Sequence, residues 1–421
     1  MRTAYKVRVY PTPAQAAVLN RTFGCVRFVW NRTLAWRQAR YRSERASTSF
    51  SEASAYLTAM KATDELAWLG EVSSVPLQQI LRHQQSAFTG FFARRARYPR
   101  FKARGGRQSA EYTRSGFRYR DGRLWLAKMD APLAFVWSWP GTDPISLDPS
   151  TVTVSRDPDG RWYASLAVDT PDPGPAPDPG PAPDPGPAAC PAAGPAVSAA
   201  VGIDLGVTNF AVTSTGDTIA NPRHLARRER NLARYQRRLA RTRRGSANRV
   251  KARAKVARAH RKVRASRADF LHRTSARLMR DHDVIVIEDL NVRGMVRNRK
   301  LSKAISDASW GTFRALLAYK AARHGRHLIV IDRWYPSSKT CSACGHLLAE
   351  LALGTRTWQC PSCGTRHDRD VNAAKNILAA GLAAAACGGD VRHAGSPGVR
   401  SPAKQEPQPA RAGIPVLQGR E

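Results

Sequence analysis

Apolar and polar residues alternate over Tyr5–Tyr10, the period of a half-buried strand, and the period then lengthens. Thr12-Pro13-Ala14-Gln15 supplies a hydroxyl, a proline and a glutamine in the order of a capping-box helix start. Leu19, Phe23, Val26 and Trp30 follow at helical spacing and predict a buried stripe. Gly24 inside that stripe leaves two outcomes open, a helix-turn-helix or one long helix. A second helix is predicted near Leu77–Arg95, running into a basic segment that ends at Lys102. Residues 1–108 are therefore expected to form a helical, helix-turn-helix-like region behind one strand. From 109 to 170 the period returns to two. Phe117–Arg120 and Arg123–Leu126 flank Asp121-Gly122, a hairpin signal, and Thr151–Ser155 and Arg161–Val168 flank a turn at Asp157-Pro158-Asp159-Gly160. A small β-barrel or sandwich is expected there.

Residues 171–197 break all periodicity. A six-residue unit, Asp-Pro-Gly-Pro-Ala-Pro, starts at Asp172, again at Asp178 and, imperfectly at its end, at Asp184, which predicts an extended linker. After Ala200 the pattern is α/β. Val201–Val207 and Val284–Glu288 are apolar strands that each carry a carboxylate, Asp204 and Glu288, and His327–Asp332 is another strand. Between the first two, Arg223–Arg280 holds 22 Arg or Lys against Glu229 and Asp269. Leu225, Leu232 and Leu239 recur every seven residues, as do Val256, Val263 and Phe270, with Gly245-Ser246 between the two sets. A helical hairpin with a narrow apolar seam and a basic exterior follows. The expected division is a core at 198–336 carrying this hairpin, a ribbon at 337–367, a last core segment at 368–386, and a disordered tail at 387–421.

Charge narrows the function. The formal net charge is +36 over 421 residues, which attracts polyanions, foremost a phosphate backbone. No apolar run of about 18 residues and no charged-then-apolar leader is found, so neither a membrane partner nor secretion is expected. A cytoplasmic location is. Seven cysteines, four of them in one cluster and Cys25, Cys190 and Cys387 scattered, make a metal site in a reducing compartment and not a disulfide framework.

Cys341-Ser-Ala-Cys344 and Cys360-Pro-Ser-Cys363, with 15 residues between the pairs, form two knuckles that give four thiolates for one Zn²⁺. Four cysteines leave no open position, so this zinc is structural. The second chemical signal is three acids. Asp204 and Glu288 close apolar strands, Gly206 beside the first should admit a close backbone or phosphate, and Asp370 opens a helical run. Singly, each has an ordinary reading: strand-end acids in solvent, and a helix N-cap at Asp370. Together, two strand-end carboxylates and one at a helix start can cage Mg²⁺ or Mn²⁺ for phosphodiester cleavage. Arg234, Arg237, Arg238, Arg241, Lys251, Lys255 and Arg258 on the hairpin, and Lys339 beside the first knuckle, are the candidate nucleic-acid contacts.

At these residues the chain resembles a known family. Gly202-Ile203-Asp204-Leu205-Gly206, Ile287-Glu288-Asp289-Leu290 and Asp368-Arg369-Asp370-Val371-Asn372-Ala373-Ala374 are similar to the three split motifs of the OrfB/TnpB proteins of bacterial insertion sequences. Pro336–Gly345 resembles their zinc-ribbon entry. The resemblance implies an α/β protein with an RNase H-like (RuvC) core, an inserted helical hairpin and a zinc ribbon, behind an α-helical and β-barrel region. It further implies an RNA-guided DNA endonuclease of a mobile element, related to type V CRISPR effectors, acting at the nucleoid with DNA and a guide RNA as partners. No small-molecule substrate is expected. Two other readings stand beside it: a catalytically silent nucleic-acid-binding regulator, which would have no use for the full acid triad, and a strand-joining transposase. A tyrosine-nucleophile transposase needs a closely spaced His pair, and none of the ten histidines forms His-x-His.

Overall fold

The computed structural model describes residues 2–139, 141–169, 199–352 and 354–386. The linker expected at 171–197 and the tail expected at 387–421 lie outside the described residues. The chain divides into two compact units. The first contains the described residues up to 169 together with 223–269; the second contains 199–222 and 270–386.

In the first unit, strand β1 (Arg2–Val9) turns Tyr5, Val7 and Val9 into the core by simple alternation. Helix α1 (Pro13–Glu44) starts at the expected capping box: the Gln15 amide donates to Thr12 Oγ1 at 3.3 Å, and the Thr12 amide to Gln15 Oε1 at 3.0 Å. It runs unbroken through Gly24, so of the two outcomes the single long helix is the one observed. Leu19, Phe23, Val26, Val29, Trp30 and Leu34 bury its inner face, and that burial outweighs the roughly 1 kcal/mol a mid-helix glycine costs. Helix α2 (Phe50–Ala62), with its own Ser49–Glu52 capping box, is an addition to the expected elements. Helix α3 (Ser74–Phe92) begins and ends three residues before the predicted helix.

Strands β2 (Gln108–Thr113), β3 (Phe117–Arg120), β4 (Arg123–Leu126), β5 (Phe135–Val136), β6 (Pro149–Arg156) and β7 (Trp162–Asp169) follow. Asp121 and Gly122 both take positive φ, 50° and 70°, the backbone a tight β3–β4 hairpin requires. The main sheet is antiparallel, in the order β2-β6-β7-β1-β5. Helix α4 (Glu229–Ala240) and helix α5 (Ala247–Asp281) form the expected hairpin, with Leu232, Ala252 and Val263 buried along its seam. The β6–β7 turn holds it. Asp159, its side chain only 2% exposed, pairs with Arg261, and Asp157 pairs with Arg264 at 2.5 Å.

The second unit is a mixed sheet covered on both faces. Strands β8 (Ala200–Asp204), β9 (Asn209–Thr213), β10 (Thr218–Ala220), β11 (Val284–Glu288) and β12 (His327–Ile331) lie in the order β10-β9-β8-β11-β12. β8, β9 and β10 are antiparallel, whereas β8, β11 and β12 run parallel. Short helices α6 (Val292–Met295) and α7 (Ser302–Ala308) precede α8 (Trp310–His324), whose Phe313 and Leu317 pack with Val201, Ile203, Ile285 and Ile287. Strands β13 (Thr357–Gln359) and β14 (Arg366–Asp368) pair in the ribbon, and helix α9 (Arg369–Ala386) ends the described chain. The expected mixed α/β architecture is thus observed.

Candidate active site and metal centre

Period-two alternation decides where the acids point. Ile203 is paired with Ile287 across β8 and β11, and both face the α8 core. The next residues, Asp204 and Glu288, must therefore share the opposite face, on adjacent strands about 4.8 Å apart. Gly202, Val284 and Val286 share that face too, and α9 covers it: a Cβ on Gly202 would collide with the Ala374 carbonyl oxygen, and one on Gly381 with Val286 Cγ1. Only glycine permits this approach. The first turn of α9 carries Asp370, and the three carboxylates sense one another. Burial pushes Asp204 up to about 7, and the charges of Glu288 and Asp370 push the same way; Arg369 opposes them. Glu288 is also raised by burial, against a hydrogen bond from Ser337 Oγ at 2.5 Å.

The ordinary reading of Asp370 as an N-cap belongs instead to Asp368. Its Oδ1 accepts from the amides of Asp370 at 3.0 Å and Val371 at 2.9 Å. Asp370 is left facing Arg356, 3.6 Å away. At Gly206, of the two expected close neighbours, backbone or phosphate, the one present is backbone: the Asn209 carbonyl oxygen of the β8–β9 turn.

The four cysteines form the tighter cluster, their sulfurs all within 4.8 Å of one another; among the described residues the acids form no group that compact. Cys341 and Cys363 sulfurs are 3.7 Å apart, and Cys344 and Cys360 are 3.6 Å apart, too far for disulfides. The two knuckles have the same build: Gly345 donates to the Cys341 carbonyl and Gly364 to the Cys360 carbonyl, each at 2.9 Å and each with positive φ. Thr365 draws Cys363 down to about 6, whereas Cys344 is pushed up to about 12, chiefly by Cys363 against a backbone hydrogen bond at His346. Four sulfurs this close together can hold a metal ion.

Two buried asparagines tie this ribbon to the acid site, and sequence reasoning passed over both. Asn372 Nδ2 donates to the Thr340 carbonyl at 2.8 Å, and its Oδ1 accepts from the Ser342 amide at 2.9 Å. Asn376 Nδ2 donates to the Ser337 and Thr340 carbonyls at 2.8 and 2.6 Å. Their signal was present, since α9 otherwise buries small and apolar residues and a buried amide must be satisfied.

The basic candidates separate. Arg234, Arg237, Arg238, Arg241, Lys251, Lys255 and Arg258 are all exposed on the hairpin, and Arg238, Lys251, Lys255 and Arg258 line one concavity between its helices. Lys339 is half-buried, with its ammonium bonded to the Ala349 carbonyl at 2.8 Å, where it braces the ribbon.

Comparison with known proteins gives the same assignment throughout. Residues 182–299 match a family model described as "Probable transposase" of the OrfB type, 1–46 a helix-turn-helix model of that family, and 310–377 the TNB domain described as Cas12f1-like. The helix-turn-helix match falls where the chain forms β1 and the single helix α1. A protein of Streptomyces pristinaespiralis named "Putative RNA-guided DNA endonuclease" is 52% identical over 99% of both chains. An Escherichia coli K12 relative, InsQ, of the same description, is 30% identical over 96% of this chain and 97% of its own. In fold, the chain is similar to the protein in a Cas12f1–sgRNA–target DNA complex, with a TM-score of 0.51, 14% identity, and 86% and 83% of the two chains covered. Similarity that runs the full length of both sequences, and includes every segment that carries an acid or a cysteine knuckle, settles the relationship: this chain belongs to the OrfB/TnpB family.

Proposed function

We propose that the chain is a divalent-metal-dependent DNA endonuclease of a mobile element, directed to its target by a guide RNA. Asp204, Glu288 and Asp370 would hold Mg²⁺ or Mn²⁺ on an RNase H-like (RuvC-type) sheet. One observation carries the reading: three acids from segments far apart in sequence converge where β8 and β11 end beneath α9, and burial first, then the charges of Glu288 and Asp370, lift Asp204 to about 7. Buried carboxylates that repel one another are an expense unless a cation joins them. Hard oxygen donors fit Mg²⁺ or Mn²⁺, which when bound supply charge for the leaving oxygen and an activated water. The chain's own residues do the positioning. Ser337 fixes one oxygen of Glu288, the Asp368 cap frees Asp370, and Arg356 stands beside it. Ser337→Ala should lower cleavage about 10- to 100-fold with nucleic-acid affinity unchanged, as loss of a ligand-orienting bond generally does. Equal cleavage by the variant would remove Ser337 from this role.

The ribbon fits Zn²⁺. Tetrahedral bonds of about 2.3 Å require sulfur edges of about 3.8 Å, and the edges here are 3.7 and 3.6 Å. The antiparallel sheet of the first unit is proposed as the barrel, since Leu124 and Leu126 of β4 enter the same core as Tyr5 and Leu166. DNA and guide RNA are the proposed partners, met at the nucleoid, and no helix among the described residues is long and apolar enough to cross a membrane.

The test is to purify the protein from cells expressing its native locus and to sequence the bound RNA. A plasmid matching that RNA, with randomised flanks, is then incubated with Mg²⁺. A discrete RNA and cutting of matched plasmid are expected; absence of both overturns the proposal. Binding itself should weaken steeply with salt. Arg234→Gln, Arg237→Gln, Arg238→Gln and Arg241→Gln combined should flatten the slope of log affinity against log salt by about 1 for each phosphate no longer neutralised. An unchanged slope would make this face of the hairpin a bystander.

A further inference from the structure

Trp334 is the most exposed large hydrophobic side chain among the described residues, at 84%. Burial of such a ring would stabilise the chain by a few kcal/mol, so its place in water calls for a reason. A loose loop is not that reason. The Trp334 amide donates to Asp332 Oδ1 at 2.7 Å, and the Ser337 amide to the Tyr335 carbonyl at 2.8 Å. On one side Arg333 pairs with Asp289, which Arg314 also holds, and the two arginines keep that carboxyl below its ordinary range against the opposing effect of burial. On the other side Tyr335 packs against Val284, Val286, Ile329 and Ile377, and Ser337 is bonded to Glu288. The indole is therefore presented from a segment pinned at both ends.

The pins locate it. Asp289 follows Glu288, and Ser337, bonded to Glu288, lies three residues after Trp334, so at most about 10 Å of chain separates the Trp334 backbone from Ser337. That is about one to three nucleotides at a stacked rise of about 3.4 Å. We infer that Trp334 is a stacking platform for a nucleobase of the single strand delivered to the Asp204–Glu288–Asp370 site. Every base has a π-face, so this contact holds a strand without reading its sequence, which suits a nuclease whose cut site moves with its guide. The neighbouring Asp332, Arg333 and Pro336 are exposed, and Asp332 and Arg333 are charged, so the ring lacks the apolar surround that a protein contact would use. The inference rests on the nuclease reading for its choice of strand.

The test uses the full-length protein with its co-purified RNA, in an Asp204→Ala background so that no turnover interferes, at about 0.3 M salt to suppress phosphate-only binding. The probes are oligothymidylate strands in which one abasic residue is moved position by position. Trp334→Ala should weaken binding of the intact strand about 5- to 150-fold, the equivalent of 1–3 kcal/mol of stacking, with thermal stability unchanged; Trp334→Phe should retain most of the affinity. One abasic position should weaken the parent by a similar factor and leave Trp334→Ala unaffected, the coupling a shared contact demands. Equal abasic profiles for parent and Trp334→Ala overturn the platform. So does a loss of bound RNA in Trp334→Ala, which would assign the base to the guide, or a change only in oligomeric state, which would assign the ring to a second copy. Coupling found while the Asp204-intact protein never cuts would sink the nuclease reading and leave the platform standing; cutting without coupling does the reverse.

Discussion

Asp204→Ala, Glu288→Ala and Asp370→Ala are each expected to lower DNA cleavage by about 10³-fold or more while shifting the dissociation constant for nucleic acid by less than about threefold. Loss of a ligand removes several kcal/mol of transition-state charge stabilisation, and about 4 kcal/mol is already three powers of ten. Affinity is expected to survive because, in the proposed function, it rests on the exposed Arg and Lys of the hairpin and on the guide. Asp368→Ala is the control. It removes a helix cap worth about 1 kcal/mol, so it should lower the melting temperature by a few degrees and keep most activity. If Asp370→Ala cuts normally and Asp368→Ala does not, the third ligand is misassigned. The triad also has a pH signature. Asp204 rises from 3.8 to about 7 in the fold, so the native state prefers its protonated form. That preference supports the metal-free fold fully below pH about 4 and is lost as pH rises through about 7. Metal-free Asp204→Asn should therefore melt higher than the parent at pH 8 and level with it near pH 4, and Mg²⁺ should close the gap. A gap of the same size at both pH values would show that the carboxylate is not crowded.

Removal of the ribbon metal should be the most damaging change to the fold. Cys360→Ala takes one thiolate from a site whose zinc affinity is commonly about 10–16 kcal/mol of folding free energy. Parent protein purified without chelator should contain one Zn²⁺ per chain, and the variant should contain much less, be poorly soluble and melt in two steps. The damage should spread beyond the ribbon, because Asn372 and Asn376 on α9 bond to ribbon-entry carbonyls and would be left buried without partners. Zinc-free parent that keeps its full melting temperature would refute a structural metal here.

Much of the site could be read from sequence because its signals are local. Cysteine spacing needs no tertiary knowledge, and the apolar strands do end at the carboxylates Asp204 and Glu288, as their patterns predict. Asp121-Gly122 likewise fixed its own turn. What escaped depends on partners distant in the chain. Asp157 and Asp159 look like turn residues, and only the fold shows them as sockets for Arg264 and Arg261, more than 100 positions away. Ser337 reads as one hydroxyl in a polar run until the fold sets it against Glu288, 49 positions earlier. Lys339 likewise has a partner the sequence does not announce, the Ala349 carbonyl ten positions on. Gly24 was ambiguous because helix propensity is a weak preference that the buried face of α1 overrides.

The last ligand of the proposed cage, Asp370, is on the final described helix, and the cover over Asp204 and Glu288 belongs to that same helix. During synthesis the basic hairpin, which ends at Asp281, is complete before α9 begins at Arg369. If the proposed roles hold, a nascent chain, or any product that stops short of residue 370, would carry the basic hairpin without the complete carboxylate set. In the proposed reading, the order of elements along the chain acts as a safety catch: the basic surface is made before the last carboxylate of the cage.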